Sequence, residues 1–121
     1  MRVVIVDHDS LFRAELHNFL LSAGFAHVSV VSKLPEPLGE IAMQDILLLD
    51  EGAWPPRDGV LLRRIRRIAP RSLIVSMIRS PGRAPCAEHP NADPRVRYMV
   101  KTDFSRSLLP LLTEAEGGDA P

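Results

Sequence analysis

Apolar residues come in short blocks along this chain, and the blocks change period between strand-like and helix-like. Arg2-Val3-Val4-Ile5-Val6 and Asp45-Ile46-Leu47-Leu48-Leu49 are unbroken apolar runs of strand length, the pattern of strands covered on both faces of a parallel sheet. Ser72-Leu73-Ile74-Val75-Ser76 and the stretch from Val96 to Val100 read the same way, whereas His27-Val28-Ser29-Val30-Val31 opens by alternating, which suits an edge. Between the strands the period shifts. Phe12, Leu16, Phe19, Leu20 and Ala23 recur at helical spacing, with Arg13, Glu15, His17 and Asn18 mostly outside that face. Asp9 or Ser10 can cap this helix and Gly24 can end it. A second helix is predicted from Gly59 to about Ile68, capped by Asp58 after a Trp54-Pro55-Pro56 turn. Leu61, Leu62, Ile65 and Ile68 make its inner face, and Arg63, Arg64, Arg66 and Arg67 its outer face. A last helix carries Phe104, Leu108, Leu111 and Leu112; Pro110 requires it to start near Ser107 or to bend.

Proline and glycine mark where regular structure fails. Pro35, Pro37 and Gly39 limit the stretch before the central strand to a short helix near Leu38 to Met43. Pro81, Gly82, Pro85, Pro90 and Pro94 exclude a regular helix between Arg79 and Arg95, so the fourth helix should be short, irregular or missing. Residues 116–121 read as a disordered tail or the start of a linker, which leaves 1–115 as the expected domain. Five strands alternating with helices predict a three-layer α/β sandwich built on a five-stranded parallel sheet.

Composition narrows the function. Fifteen basic and fifteen acidic residues cancel, which gives no global argument for nucleic acid or a membrane surface. The one cysteine, Cys86, cannot form an internal disulfide, and no run approaches membrane-spanning length; a cytoplasmic protein is expected. One local asymmetry stands out. Between Arg57 and Arg83 there are eight arginines and a single acid, Asp58. Such a run is either a solvated helix face or an interface, and Arg63, Arg64 and Arg67, together with Tyr98, are the interface candidates. DNA contact through these arginines and Arg66 would lack any helix-turn-helix or winged helix to deliver it.

The chemistry collects at strand ends. Asp7-His8-Asp9, Asp50, Ser76 and Lys101 each follow or close a predicted strand, and in a parallel sheet they share the carboxyl edge where ligands bind. In order, spacing and residue type they resemble the response-regulator receiver domain of bacterial two-component signalling, over essentially the whole chain. The matching segments are Val6-Asp7-His8-Asp9-Ser10-Leu11-Phe12-Arg13, Leu47-Leu48-Leu49-Asp50, Ile74-Val75-Ser76 and Tyr98-Met99-Val100-Lys101. The resemblance implies a flavodoxin-like (βα)5 sandwich with Asp50 at the phosphoacceptor position and Asp7, His8 and Asp9 in the acidic pocket. It further implies Ser76 and Tyr98 as switch residues, Lys101 as the phosphate-contacting cation, and magnesium as cofactor on Asp7 and Asp50. A histidine kinase, an effector domain or a second copy would be the protein partner, with no direct contact to nucleic acid or membrane from this domain.

Several positions depart from that family. Its second acid is His8, and imidazole is a poor magnesium ligand; Asp9 could replace it only if the loop shifts by one residue. The residue after the switch hydroxyl is Met77 rather than a small one, which should crowd the pocket. Thr102 replaces a proline, and Ala53-Trp54-Pro55-Pro56 carries about one extra residue. The leading reading is therefore an atypical receiver, not an enzyme, regulating a partner by protein contacts with phosphorylation at Asp50 weak or lost. The alternatives are a conventional magnesium-dependent phosphoacceptor, and a small-ligand domain whose pocket is built from His8, Trp54 and Met77. A transition-metal site at Asp7, His8 and Asp50 is a minor variant.

Overall fold

The computed structural model describes residues 1–36, 38–52, 59–79 and 93–118. The unbroken apolar runs form strands where the sequence places them. The order is β1 (Arg2–Val6), α1 (Ser10–Ser22), β2 (His27–Val31), a 3-10 turn at Leu38–Ile41 and β3 (Ile46–Asp50). Then follow α2 (Gly59–Ile68), β4 (Leu73–Ile78), β5 (Val96–Val100), a second 3-10 turn at Lys101–Asp103 and α3 (Phe104–Gly118). All five strands are parallel in the order β2-β1-β3-β4-β5. The chain leaves β1 for one edge and returns to the other side of it, so the winding reverses between β1 and β3. That reversal opens a crevice at the carboxyl ends, and Asp7 and Asp50 stand at its two sides.

The alternating faces of the central strands fill two cores. Val3, Ile5, Leu48, Val75, Met77 and Met99 pack with Leu16 and Leu20 of α1 and Leu108 and Leu112 of α3. Val4, Val6, Leu47, Leu49 and Ile74 pack with Leu38, Ile41 and Ile65 on the α2 side. Every residue of β3 and β4 is buried, which is why both read as continuous apolar runs. Gly24 ends α1 with φ of 101°, a conformation that a side chain would strain.

Four details depart from the sequence reading. Strand β4 continues through Met77 to Ile78 rather than stopping at Ser76, because both added side chains are themselves buried. Ala23 is exposed, one step past the end of α1. Helix α3 begins at Phe104, since the turn at Lys101–Asp103 runs straight into it, so Pro110 lies in its second turn, where it has no N–H for the carbonyl of Arg106. The same helix reaches Gly118, three residues into the stretch read as a tail. Among the described residues there are three α-helices. The expectations for residues 80–92, the Trp54-Pro55-Pro56 turn and Asp58 lie outside the described residues. No helix among the described residues is long and apolar enough to cross a membrane.

Candidate functional site

Burial and charge meet at the carboxyl end of β1 and β3. Asp7 is 1% exposed and Asp50 6%, so two carboxylates sit inside the protein, where an isolated charge would be costly. Lys101, at the end of β5, compensates both. Its Nζ lies 2.8 Å from Asp7 Oδ2 and donates to Asp50 Oδ1 at 3.0 Å. The contact to Asp7 is an ion pair without an aligned hydrogen bond. Burial pulls the Lys101 ammonium towards the neutral form, but the two carboxylates outweigh it and leave its pKa above the ordinary 10.5.

The remaining valences are met locally. The Asp9 N–H donates to Asp7 Oδ1 at 2.8 Å, and the Gly52 N–H donates to Asp50 Oδ2 at 3.1 Å. A Cβ at position 52 would meet Asp50 Oδ2 at 3.0 Å, so glycine lets the loop close over this carboxylate. Arg13 reaches back from α1 to donate from Nη1 to the Asp7 carbonyl at 3.0 Å, bringing a second cation beside the pair. Two aromatic rings floor the charge. Phe12 lies 4.6 Å from Lys101 Nζ, and Phe104 meets Phe12 and Phe19 edge to face. A cavity of about 530 Å³ opens here, lined by Asp7, His8, Asp9, Asp50, Lys101 and Thr102 with both rings.

The helix start is equally specific. Asp9 Oδ1 accepts the N–H groups of Leu11 and Phe12 at 3.0 and 3.2 Å, which makes Asp9 the cap of α1. Asp9→Ala is expected to lower stability by about 1 kcal/mol in a urea titration, without disturbing the Asp7–Lys101–Asp50 cluster.

No family model matches the sequence, and no curated protein sequence does either. Solved structures do match by shape. A response regulator receiver domain protein from Clostridium thermocellum superposes with a TM-score of 0.73 at 19% identity, covering 97% of this chain and 94% of that one. The N-terminal domain of a response regulator/sensory box/GGDEF protein from Carboxydothermus hydrogenoformans gives 0.72 at 18%, covering 95% and 93%. A structure described as an atypical orphan response regulator with a phosphorylation-independent regulatory mechanism gives 0.62 at 21%, covering 97% and 93%. The chain has the response-regulator receiver fold.

Within the receiver fold, the site residues read from the sequence divide into three groups. Asp7, Asp50 and Lys101 are in direct contact. His8 and Asp9 line the cavity but are exposed, and neither side chain joins that cluster, which Asp9 touches only through its N–H. Ser76 is fully buried, in register with Leu49 on one side and Tyr98 on the other, one strand position short of Asp50. Tyr98 is half-buried, and burial raises its phenol pKa above 10.0. Met77 corrects an expectation. It pairs with Asp50 in register, yet its side chain is fully buried in the core under α1 and α3 and does not line the cavity. The pocket is not crowded by it, and a ligand pocket built from His8, Trp54 and Met77 loses that wall. Arg63, Arg64 and Arg67 are exposed as expected, but Arg66 is not on the outer face. Its Nε donates to Asp93 at 2.6 Å and its Nη1 to the Ser72 carbonyl at 2.6 Å. The sequence reading also missed Arg13 and the Phe12–Phe104 floor. Phe104 follows Lys101 by three residues and Phe12 lies one helical turn from Asp9, a spacing that could have pointed to them.

Proposed function

We propose that this protein is an atypical receiver, a regulatory domain that acts through protein contacts, with phosphorylation at Asp50 weak or lost. The observation that carries this reading is the ammonium of Lys101 seated between Asp7 and Asp50. Arg13 adds a hydrogen bond to the Asp7 carbonyl, and Lys101 supplies the cation that contacts both buried carboxylates. A magnesium ion favours several oxygen ligands in octahedral geometry. Here two carboxylates converge, both already on Lys101, while the neighbouring position is an exposed imidazole and Asp9 is engaged as a helix cap. Among the described residues no group of three acids or imidazoles is arranged to hold a metal. The residues do not fit the ion as they stand. The likeness to an orphan regulator with a phosphorylation-independent mechanism is consistent with this reading.

Retention of Asp50 within 3.0 Å of Lys101 favours one second reading, a conventional phosphoacceptor in which Asp7 and Asp9 take the metal after the loop moves. One experiment separates them. The protein is incubated with acetyl phosphate or phosphoramidate, with and without magnesium, and weighed intact by mass spectrometry. The expected result is no added phosphate and no magnesium effect on Tm. A magnesium-dependent gain of one phosphate, absent in Asp50→Asn, would establish the conventional reading instead. The partners that fit a receiver acting by contact are a kinase, an effector domain or a second copy of the chain.

A further inference from the structure

Helix α2 carries four arginines and no acid in its ten residues, and the structure uses them in two different ways. Arg66 is spent internally, bonded to Asp93, Ala69 and Ser72. Arg63, Arg64 and Arg67 are exposed, and among the described residues none of the three side chains has a hydrogen bond or an ion pair. They fall at i, i+1 and i+4, so they share one side of the helix. Val60, 57% exposed, precedes Arg63 and Arg64 by three and four residues and completes the stripe. Three neighbouring guanidinium groups without an acid repel one another. An exposed valine in line with them adds an apolar contact.

We propose that this stripe is a docking surface for an acidic protein segment. Guanidinium groups pair carboxylates through two parallel hydrogen bonds, so three on one face suit a run of Asp and Glu side chains. The stripe spans about 10 Å of helix, from position 60 to position 67, a reach that fits a short peptide. Nucleic acid is the less favoured partner. The chain as a whole is neutral, and a phosphate backbone has no use for Val60. The inference goes beyond the proposed function and stands apart from Asp50, because α2 packs on the opposite side of the sheet from α1 and α3.

The test is fluorescence anisotropy with a labelled decaglutamate peptide and, in parallel, a labelled random-sequence DNA duplex, at about 0.15 M salt. The peptide is expected to bind, to lose at least about tenfold in affinity on R63E/R64E/R67E, and to lose less on R63K/R64K/R67K, which keeps the charge but not the paired hydrogen bonds. Asp50→Asn should leave the binding unchanged. If the Glu triple variant does not fold, R63Q/R64Q/R67Q replaces it under the same criterion. No peptide binding, binding indifferent to the charge reversal, or tighter binding of the duplex than of the peptide would each overturn the proposal.

Discussion

Replacing Lys101 by methionine is expected to cost about 3–5 kcal/mol of stability at neutral pH, the scale for removing one partner of a buried ion pair. The side chain of Lys101 is 15% exposed, and those of Asp7 and Asp50 are 1% and 8% exposed, so solvent can do little to screen what is left behind. Methionine keeps the packing over Phe12 but leaves two carboxylates facing each other. Asp7→Asn added to Lys101→Met should therefore recover part of the loss.

The alkaline side tests the same contact from the other direction. The folded pKa of Lys101 lies above 10.5, so its stabilisation is complete below that pH and is lost as the pH rises through the folded value. Tyr98, raised above 10.0 by burial, has the same sign and persists in the variant. The wild type should thus lose more stability above pH 10.5 than Lys101→Met does. Magnesium should raise the Tm of the variant and not that of the wild type, because only the variant offers the two carboxylates unclaimed. Urea titrations across pH check each point. A variant within about 1 kcal/mol of the wild type at neutral pH would remove Lys101 from its place as the internal counter-ion.

The sheet was legible because burial on both faces writes itself as an apolar run, and β3 is buried at all five positions and apolar at the first four. The acidic crevice was legible too, since parallel strands align their carboxyl ends whatever the sequence between them. What sequence alone could not settle was direction. Met77 follows Ser76 and shares the α1–α3 face with Asp50, which suggested an obstruction, but its side chain is fully buried in that core and does not line the cavity. Asp9 could equally have been a cap or a ligand, and the two N–H groups of α1 decide it. Arg13 reads as an outer-face residue by period, yet a long side chain can fold back over six residues to the Asp7 carbonyl. Periodicity places a Cα on a face; it does not say where a flexible cation ends.

Arg66 makes that point quantitatively. Arg66→Ala is expected to cost about 3 kcal/mol, whereas Arg67→Ala, one residue on and exposed, should stay within about 0.5 kcal/mol. Arg66 ties three separate pieces of backbone together. It donates to Asp93 just before β5, and to the carbonyls of Ala69 and Ser72 in the turn before β4. Its side chain is 18% exposed and that of Asp93 20%, so the acceptors it leaves are only partly reachable by water. Its Nη2 is buried with no partner, which trims the net gain from the group and keeps the expected loss below that of Lys101. Acid supplies the second readout. Burial pushes the Asp93 carboxyl up, but the bonds from Arg66 and from the Arg95 N–H outweigh it and hold it below 3.8. That stabilisation is complete above the unfolded value and is lost as pH falls through the folded one. Arg66→Ala should therefore flatten the acid limb of the stability curve below pH 3.8, while Arg67→Ala leaves it unchanged. Equal losses for the two variants would mean that the clamp contributes nothing beyond the charge of the helix.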